Sequence, residues 1–221
     1  MSTIILTGAA GDIGGATVHA LAAQGHTVIG VVRSAAPPAV AGLLAQTVVA
    51  DLGDRASIES LAAALPQRFD WLVTAHGYID PSSDPLQVPA ASVEKTFAVN
   101  AVSQIHLIQL LAARLARGMI LVSSSAGLAA NGRFAAYSAS KAAVNSIAQG
   151  FARNLPHLTF VSVCPGPTAG RMRERINAPA GQSPVAVAAL IADIVAGAAD
   201  CVSGDVVLVR DGERSIVSRI A

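Results

Sequence analysis

Continuous apolar runs of strand length recur along this chain, and between them lie segments whose apolar residues return with a helical period. The runs IILT, TVIGVV, WLVTA, MILVSS and FVSVC are unbroken rather than alternating, as strands covered on both faces of a parallel sheet must be. Strands are expected at 4–7, 27–32, 46–50, 71–75, 119–123, 159–164 and 205–209, and helices at 14–24, 57–65, 92–116, 135–154 and 184–196. This alternation predicts an α/β fold: a doubly wound, seven-stranded parallel sheet flanked by helices, with right-handed crossovers. Residues 34–42 and 165–182, rich in proline and glycine, are expected to be irregular, the second as a lid. Ligands of such a sheet bind beyond the carboxyl ends of its strands, so residues following Leu6, Val32, Val73, Val122 and Val163 should surround one cleft.

Composition narrows this further. Of 221 residues 52% are hydrophobic and only 13% charged, a balance that suits one well-filled domain over 1–221. Aromatics make up 4%, so small aliphatic side chains must fill the core, which favours helices laid closely on a sheet. The net charge of +1, without a run of like charges, offers no footprint for nucleic acid or an anionic membrane and points to a small-molecule partner. No apolar run reaches the length of a membrane span. Cys164 and Cys201 lie far apart with no CxxC or histidine-rich company, which argues against a disulfide framework and a metal site and fits a reducing cytoplasm.

The segment TGAAGDIGG, residues 7–15, leaves a strand and opens a helix. Gly8, Gly11 and Gly14, spaced by three, allow backbone N–H groups to approach a pyrophosphate at the helix N-terminus, with Asp12 and Ile13 in the same turn. After the second strand, Val32 stands where a carboxylate would select NAD by bonding the ribose hydroxyls, and Arg33 and Ser34 follow. A cation there suits a 2′-phosphate, so NADP(H) is favoured over NAD(H); the alternative is a solvated loop arginine.

Tyr137 and Lys141, four apart in AAYSASKAAV, fall on one helix face about 6 Å apart along the axis. A phenol with a reference pKa of about 10 needs a nearby positive charge to become a useful acid/base at neutral pH. Lys141 is expected to supply it. Ser123, Ser124 and Ser125 end the preceding strand on the cleft side, where a hydroxyl can bond a substrate oxygen.

Together these motifs, with Asp51 after the third strand, Asn100 in a central helix and Pro165–Gly166 after the sixth strand, resemble the short-chain dehydrogenase/reductase family over essentially the whole chain. The resemblance implies a Rossmann-type fold and interconversion of a carbonyl and an alcohol by hydride transfer. It selects Ser124, thirteen residues before the tyrosine, as the catalytic serine beside Tyr137 and Lys141. Asn100 is implied as the helix asparagine whose distorted backbone holds a relay water. Asp51 and Leu52 are implied at the adenine, Ala75 at the fourth-strand end, Tyr137 and Lys141 also at the cofactor, and Pro165, Gly166 and Thr168 at the carboxamide. A homodimer or homotetramer is implied too, through the helices at 92–116 and 135–154.

Two departures from the family pattern stand out. The fourth-strand motif reads Thr74–Ala75–His76–Gly77 in place of NNAG; Thr74 is expected to bond a neighbouring strand through its hydroxyl, and His76 is read as structural, with a place facing the cofactor cleft as the alternative. The GxxGxxG spacing belongs to the family's extended members, although the chain is classical in size. The short stretch 170–182 predicts an open substrate pocket, and its Arg171, Arg173 and Arg175 fit either an acidic substrate or solvated side chains. The altered motif keeps a non-catalytic dinucleotide sensor as the alternative function, and the turn spacing keeps an epimerase or dehydratase.

Overall fold

The computed structural model describes residues 1–82 and 84–220; Ser83 and Ala221, inside the expected domain 1–221, lie outside the described residues. Seven parallel strands, β1 (Thr3–Thr7), β2 (Thr27–Val32), β3 (Gln46–Val49), β4 (Phe69–Thr74), β5 (Leu115–Val122), β6 (Thr159–Pro165) and β7 (Val206–Arg210), form one sheet with an eighth, β8 (Glu213–Ser218). Their order is β3-β2-β1-β4-β5-β6-β7-β8, and the chain reverses direction across the sheet between β1 and β4.

Side chains of each strand point alternately to two separate cores. On one side Ile4, Leu6, Val73, Ile120 and Val163 pack with Val18 and Leu21 of α1 (Asp12–Ala23) and Leu190 and Ile191 of α8 (Pro184–Ala196). On the other, Ile5, Leu72, Met119, Leu121 and Phe160 meet Ile58 and Leu61 of α3 (Arg55–Ala64), Leu107, Ile108 and Leu111 of α5 (Ser103–Leu111), and Val144 and Ala148 of α6 (Ala135–Asn154). Both faces being covered explains the unbroken apolar strands. Helix ends follow local chemistry: Asp54 accepts from the N–H groups of Ala56 and Ser57 to start α3, Ser183 with Pro184 starts α8, and left-handed Gly197 ends it.

Three expectations need correction. The sheet has eight strands rather than seven: β8 returns antiparallel to β7 through Asp211 and Gly212, both at positive φ, a two-residue hairpin of the primed type. Short helices α2 (Pro38–Ala41) and α7 (Arg171–Arg175) sit inside the two stretches expected to be irregular. The single helix expected over 92–116 is instead α4 (Ala90–Phe97), a π-turn (Ala98–Val102), α5 and a 3-10 turn (Ala112–Arg114), with β5 already begun at Leu115. By length and composition this run, Ala90–Arg114, could cross a membrane; its α5 half is packed into the core.

Candidate active site

A cleft of about 1130 Å³ opens at the carboxyl ends of the parallel strands. Its cofactor half is lined by Gly8, Gly11, Asp12 and Ile13 from the glycine turn, Arg33 and Ser34 after β2, and Asp51 and Leu52 after β3. Ala75, Ser124, Tyr137, Pro165, Gly166 and Thr168 line it further along. Gly14, Asn100 and Lys141 are buried behind this wall.

The glycine turn fits a dinucleotide by what its glycines exclude. Gly8 lies at φ +72°, and a Cβ there would press on the backbone of Ala75 and His76; one at Gly14 would run into the Gly8 carbonyl. The α1 N-terminus, with Gly11 as its N-cap, carries no side-chain cap, leaving backbone donors for an anion. Arg33 is exposed at the cleft, with no carboxylate within 4 Å among the described residues. Asp51 uses its side chain to accept from the Gly53 N–H at 2.8 Å.

On the catalytic side, α6 carries Tyr137 and Lys141 one turn apart, and the strand end of β5 brings Ser124 beside the phenol. Burial pushes the Tyr137 pKa above its ordinary value, with the Ser124 hydroxyl pulling partly the other way. Lys141 Nζ lies 5.9 Å from the Tyr137 ring centroid and donates to the Val122 carbonyl at 2.9 Å. Burial pushes the Lys141 pKa down to about 8. Ser123 is a supporting residue, donating to the Lys141 carbonyl at 2.7 Å.

Asn100 sits in the π-turn, the distortion that the family resemblance implies. Its side chain accepts from the Tyr78 N–H at 2.7 Å and donates to the Tyr78 carbonyl and to Ser140 Oγ, both at 2.9 Å. Gly77 separates the cleft from both buried groups: a Cβ there would lie 3.6 Å from Asn100 Oδ1 and from Lys141 Nζ.

The departure at the end of β4 is repaired by histidine rather than by threonine. Thr74 Oγ1 is buried with no hydrogen-bond partner among the described residues, so the hydroxyl-to-strand bond expected of it is not formed there. His76 instead bridges elements: Nδ1 lies 2.6 Å from Thr7 Oγ1 and Nε2 lies 2.9 Å from Ser103 Oγ. Ser103 already donates to the Val99 carbonyl at 2.7 Å, so Nε2 carries a proton toward Ser103. Burial, reinforced by the Lys141 charge, pushes the His76 pKa down to about 3, which keeps the imidazole neutral and leaves Nδ1 to accept from Thr7.

The sequence reading missed the lid's attachment to the glycine turn. Arg171 N–H donates to Asp12 Oδ2 at 3.0 Å, its Nε lies 3.4 Å from Asp12 Oδ1, and its guanidinium also reaches the Ala10 carbonyl. Gly170, at φ +142°, permits this approach, since a Cβ would overlap the Asp12 carboxylate. An acid in the turn and a lone glycine before an arginine were the available signals, but nothing in the sequence linked two segments so far apart.

A protein-family model described as short chain dehydrogenase matches residues 2–181. The chain belongs to that family. Short-chain dehydrogenases are oxidoreductases that use a nicotinamide dinucleotide, and similar folds are found among solved structures. The protein gox2181 is 24% identical with a TM-score of 0.85, over 95% of this chain and 94% of that one. A short chain dehydrogenase from Burkholderia cenocepacia J2315, solved in complex with NADP, is 24% identical with a TM-score of 0.84, over 95% and 96%. A putative betaketoacyl-ACP reductase is 24% identical with a TM-score of 0.82, over 96% and 97%. No curated protein matches the chain.

Proposed function

We propose that this short-chain dehydrogenase is an NADP(H)-dependent oxidoreductase interconverting a small carbonyl compound and its alcohol, with Tyr137 as the acid/base. The observation that carries the reading is the convergence of Ser124 and Tyr137 on the cleft that the glycine turn also lines, with Lys141 and Asn100 directly behind it. Gly8, Gly11 and the α1 N-terminus would hold the pyrophosphate, Arg33 and Ser34 the 2′-phosphate, Asp51 and Leu52 the adenine, and Thr168 the carboxamide. When bound, the nicotinamide supplies or accepts the hydride.

The protein's own part is to polarise and to move a proton. The Ser124 hydroxyl donates to the substrate oxygen, which increases the electrophilicity of its carbon. Tyr137, held protonated by burial, gives its phenolic proton to that oxygen during reduction and takes it back during oxidation. Lys141 stabilises the phenolate then formed, and Asn100 in its π-turn keeps a route for proton return. Arg33, unpaired by any described carboxylate, supports NADP(H) over NAD(H). A homodimer or homotetramer, and a cytoplasmic setting, belong to the same reading; Val102 of the π-turn and Leu110 of α5 stand exposed, which supports an interface along that run.

Tyr137→Phe tests this directly. It should lower kcat/KM about 10²- to 10⁴-fold, the usual worth of a positioned acid/base, while the affinity for NADPH changes little. Comparable turnover by the two proteins would remove Tyr137 from the mechanism. NADPH binding without turnover of any carbonyl by the unaltered protein would favour the sensor.

A further inference from the structure

Outside the reacting centre, the substrate half of the cleft is strongly unbalanced in charge. Asp12 and Asp51 are the acids among its lining residues, both on the cofactor side, and Asp12 is already engaged by Arg171. On the opposite side stand Lys95 of α4 and Arg175 of α7, both exposed. Neither has a carboxylate within 4 Å among the described residues.

These two cations share one aromatic ring. Lys95 Nζ lies 5.0 Å and the Arg175 guanidinium carbon 5.5 Å from the Tyr78 centroid, although they come from elements far apart in sequence. Two positive charges gathered on one ring repel, and a cation–π contact at an exposed site returns only about 0.5–1 kcal/mol each. Asp80 offsets this partly, through its field on Arg175, but it does not line the cleft and is hydrogen-bonded to Ser92 and the Ser82 N–H.

Tyr78 is also the residue that Asn100 grips by both backbone groups. Its phenol is held 3.0 Å from Ser92 Oγ. The ring carrying the two cations is therefore registered against the helix run that positions the proposed proton relay. Apolar groups, Ile79, Phe134, Met172 and Ile176, line the same part of the cleft.

We propose that Lys95 and Arg175, assembled on Tyr78, form an anion-binding subsite, so that the substrate is an oxo or hydroxy compound with an apolar body and a carboxylate or phosphate remote from the reacting carbon. This rests on the oxidoreductase reading and specifies its substrate class. An anion seated beside the Tyr78 ring lies in the field of both cations and offsets their mutual repulsion; a neutral analogue does not.

The test is calorimetric binding to the NADP⁺-saturated protein at low salt, using 4-phenylbutanoate, its neutral amide and 3-phenylpropyl phosphate. At least one anion should bind about tenfold more tightly than the amide, as two exposed ion pairs allow, and the stronger arm identifies the head group. The gap should shrink to about twofold in the Lys95→Gln/Arg175→Gln double variant. Equal binding of all three probes, failure of both anions to bind, or a gap that survives the double substitution overturns the subsite. The same titration on Tyr137→Phe should retain the gap, so a failed subsite and a failed acid/base assignment give different results.

Discussion

The floor of the cleft and its lid are built by opposite means. The floor is a strand–turn–helix corner whose glycines touch backbone, and behind it Lys141, Asn100 and His76 are buried with their hydrogen bonds directed inward. The lid is a five-residue helix, α7, exposed on most positions and tied down by one arginine, Arg171, on an acid and a carbonyl of the glycine turn. Displacing a floor group leaves unpaired polar atoms in a low-dielectric interior; displacing the lid returns its groups to water. On the proposed function, chemistry is thus placed on the part that cannot adjust and substrate choice on the part that can.

A matched pair of glycine substitutions would break or sharpen that contrast most. Gly14→Ala must push apart the backbone of the turn itself, and we expect about 4 kcal/mol of lost stability, a fall of roughly 10 °C in Tm, together with loss of NADPH binding. Gly170→Ala meets a side chain and a positive φ in a segment that can swing away. Its Tm should stay within about 3 °C while trypsin cuts faster at Arg171, Arg173 and Arg175. Equal thermal shifts in differential scanning calorimetry would show that lid and floor form one rigid unit.

Next in size is the cofactor edge of the floor. Arg33→Ala removes the charge proposed to meet the 2′-phosphate, and the ratio of kcat/KM for NADPH over NADH should fall about 10- to 100-fold, the worth of one or two charge-assisted hydrogen bonds. An unchanged ratio would leave Arg33 a solvated surface group.

A smaller, graded effect comes from His76. Its folded pKa of about 3 lies below the ordinary 6.5, so between those values the unfolded chain binds more protons than the folded one, and stability falls as pH falls through that window. The slope contributed is about 1.4 kcal/mol per pH unit. Urea unfolding of His76→Gln between pH 7 and pH 5 should lack that share of the acid sensitivity. If the variant and the parent lose stability in parallel, the neutral bridge between Thr7 and Ser103 is not what the histidine provides.

The same contrast governs what could be read from residues alone. TGAAGDIGG, Tyr137 with Lys141, and Ser124 are local patterns whose meaning depends on one strand end or one helix turn, and the structure brings the glycine turn, Tyr137 and Ser124 to one cleft with Lys141 buried behind it. The parallel strands were legible because burial on both faces writes continuous apolar runs. The eighth strand was not, because ERSIVS is exposed throughout and leaves no such run; the Asp211–Gly212 pair was the missed sign of a hairpin. The Arg171–Asp12 tie, the pairing of Lys95 with Arg175 on Tyr78 and the failure of Thr74 to find a partner all depend on distances between segments remote in sequence. Burial is likewise set by the assembled fold: it pushes the Tyr137 pKa up, and no helix spacing carries that information.

The π-turn at Ala98–Val102 has a wider geometric effect. One extra residue in a helical ladder rotates everything beyond it by about 100° relative to what came before. The rod from Ala90 to Arg114 is therefore two rods out of phase: α5 turns Leu107, Ile108 and Leu111 onto the sheet, while α4 keeps only Thr96 buried. Deleting a single residue in that interval would bring the two faces back into phase and turn Lys95 away from the cleft, so the electrostatics of the mouth are set by a count of residues as much as by their identity.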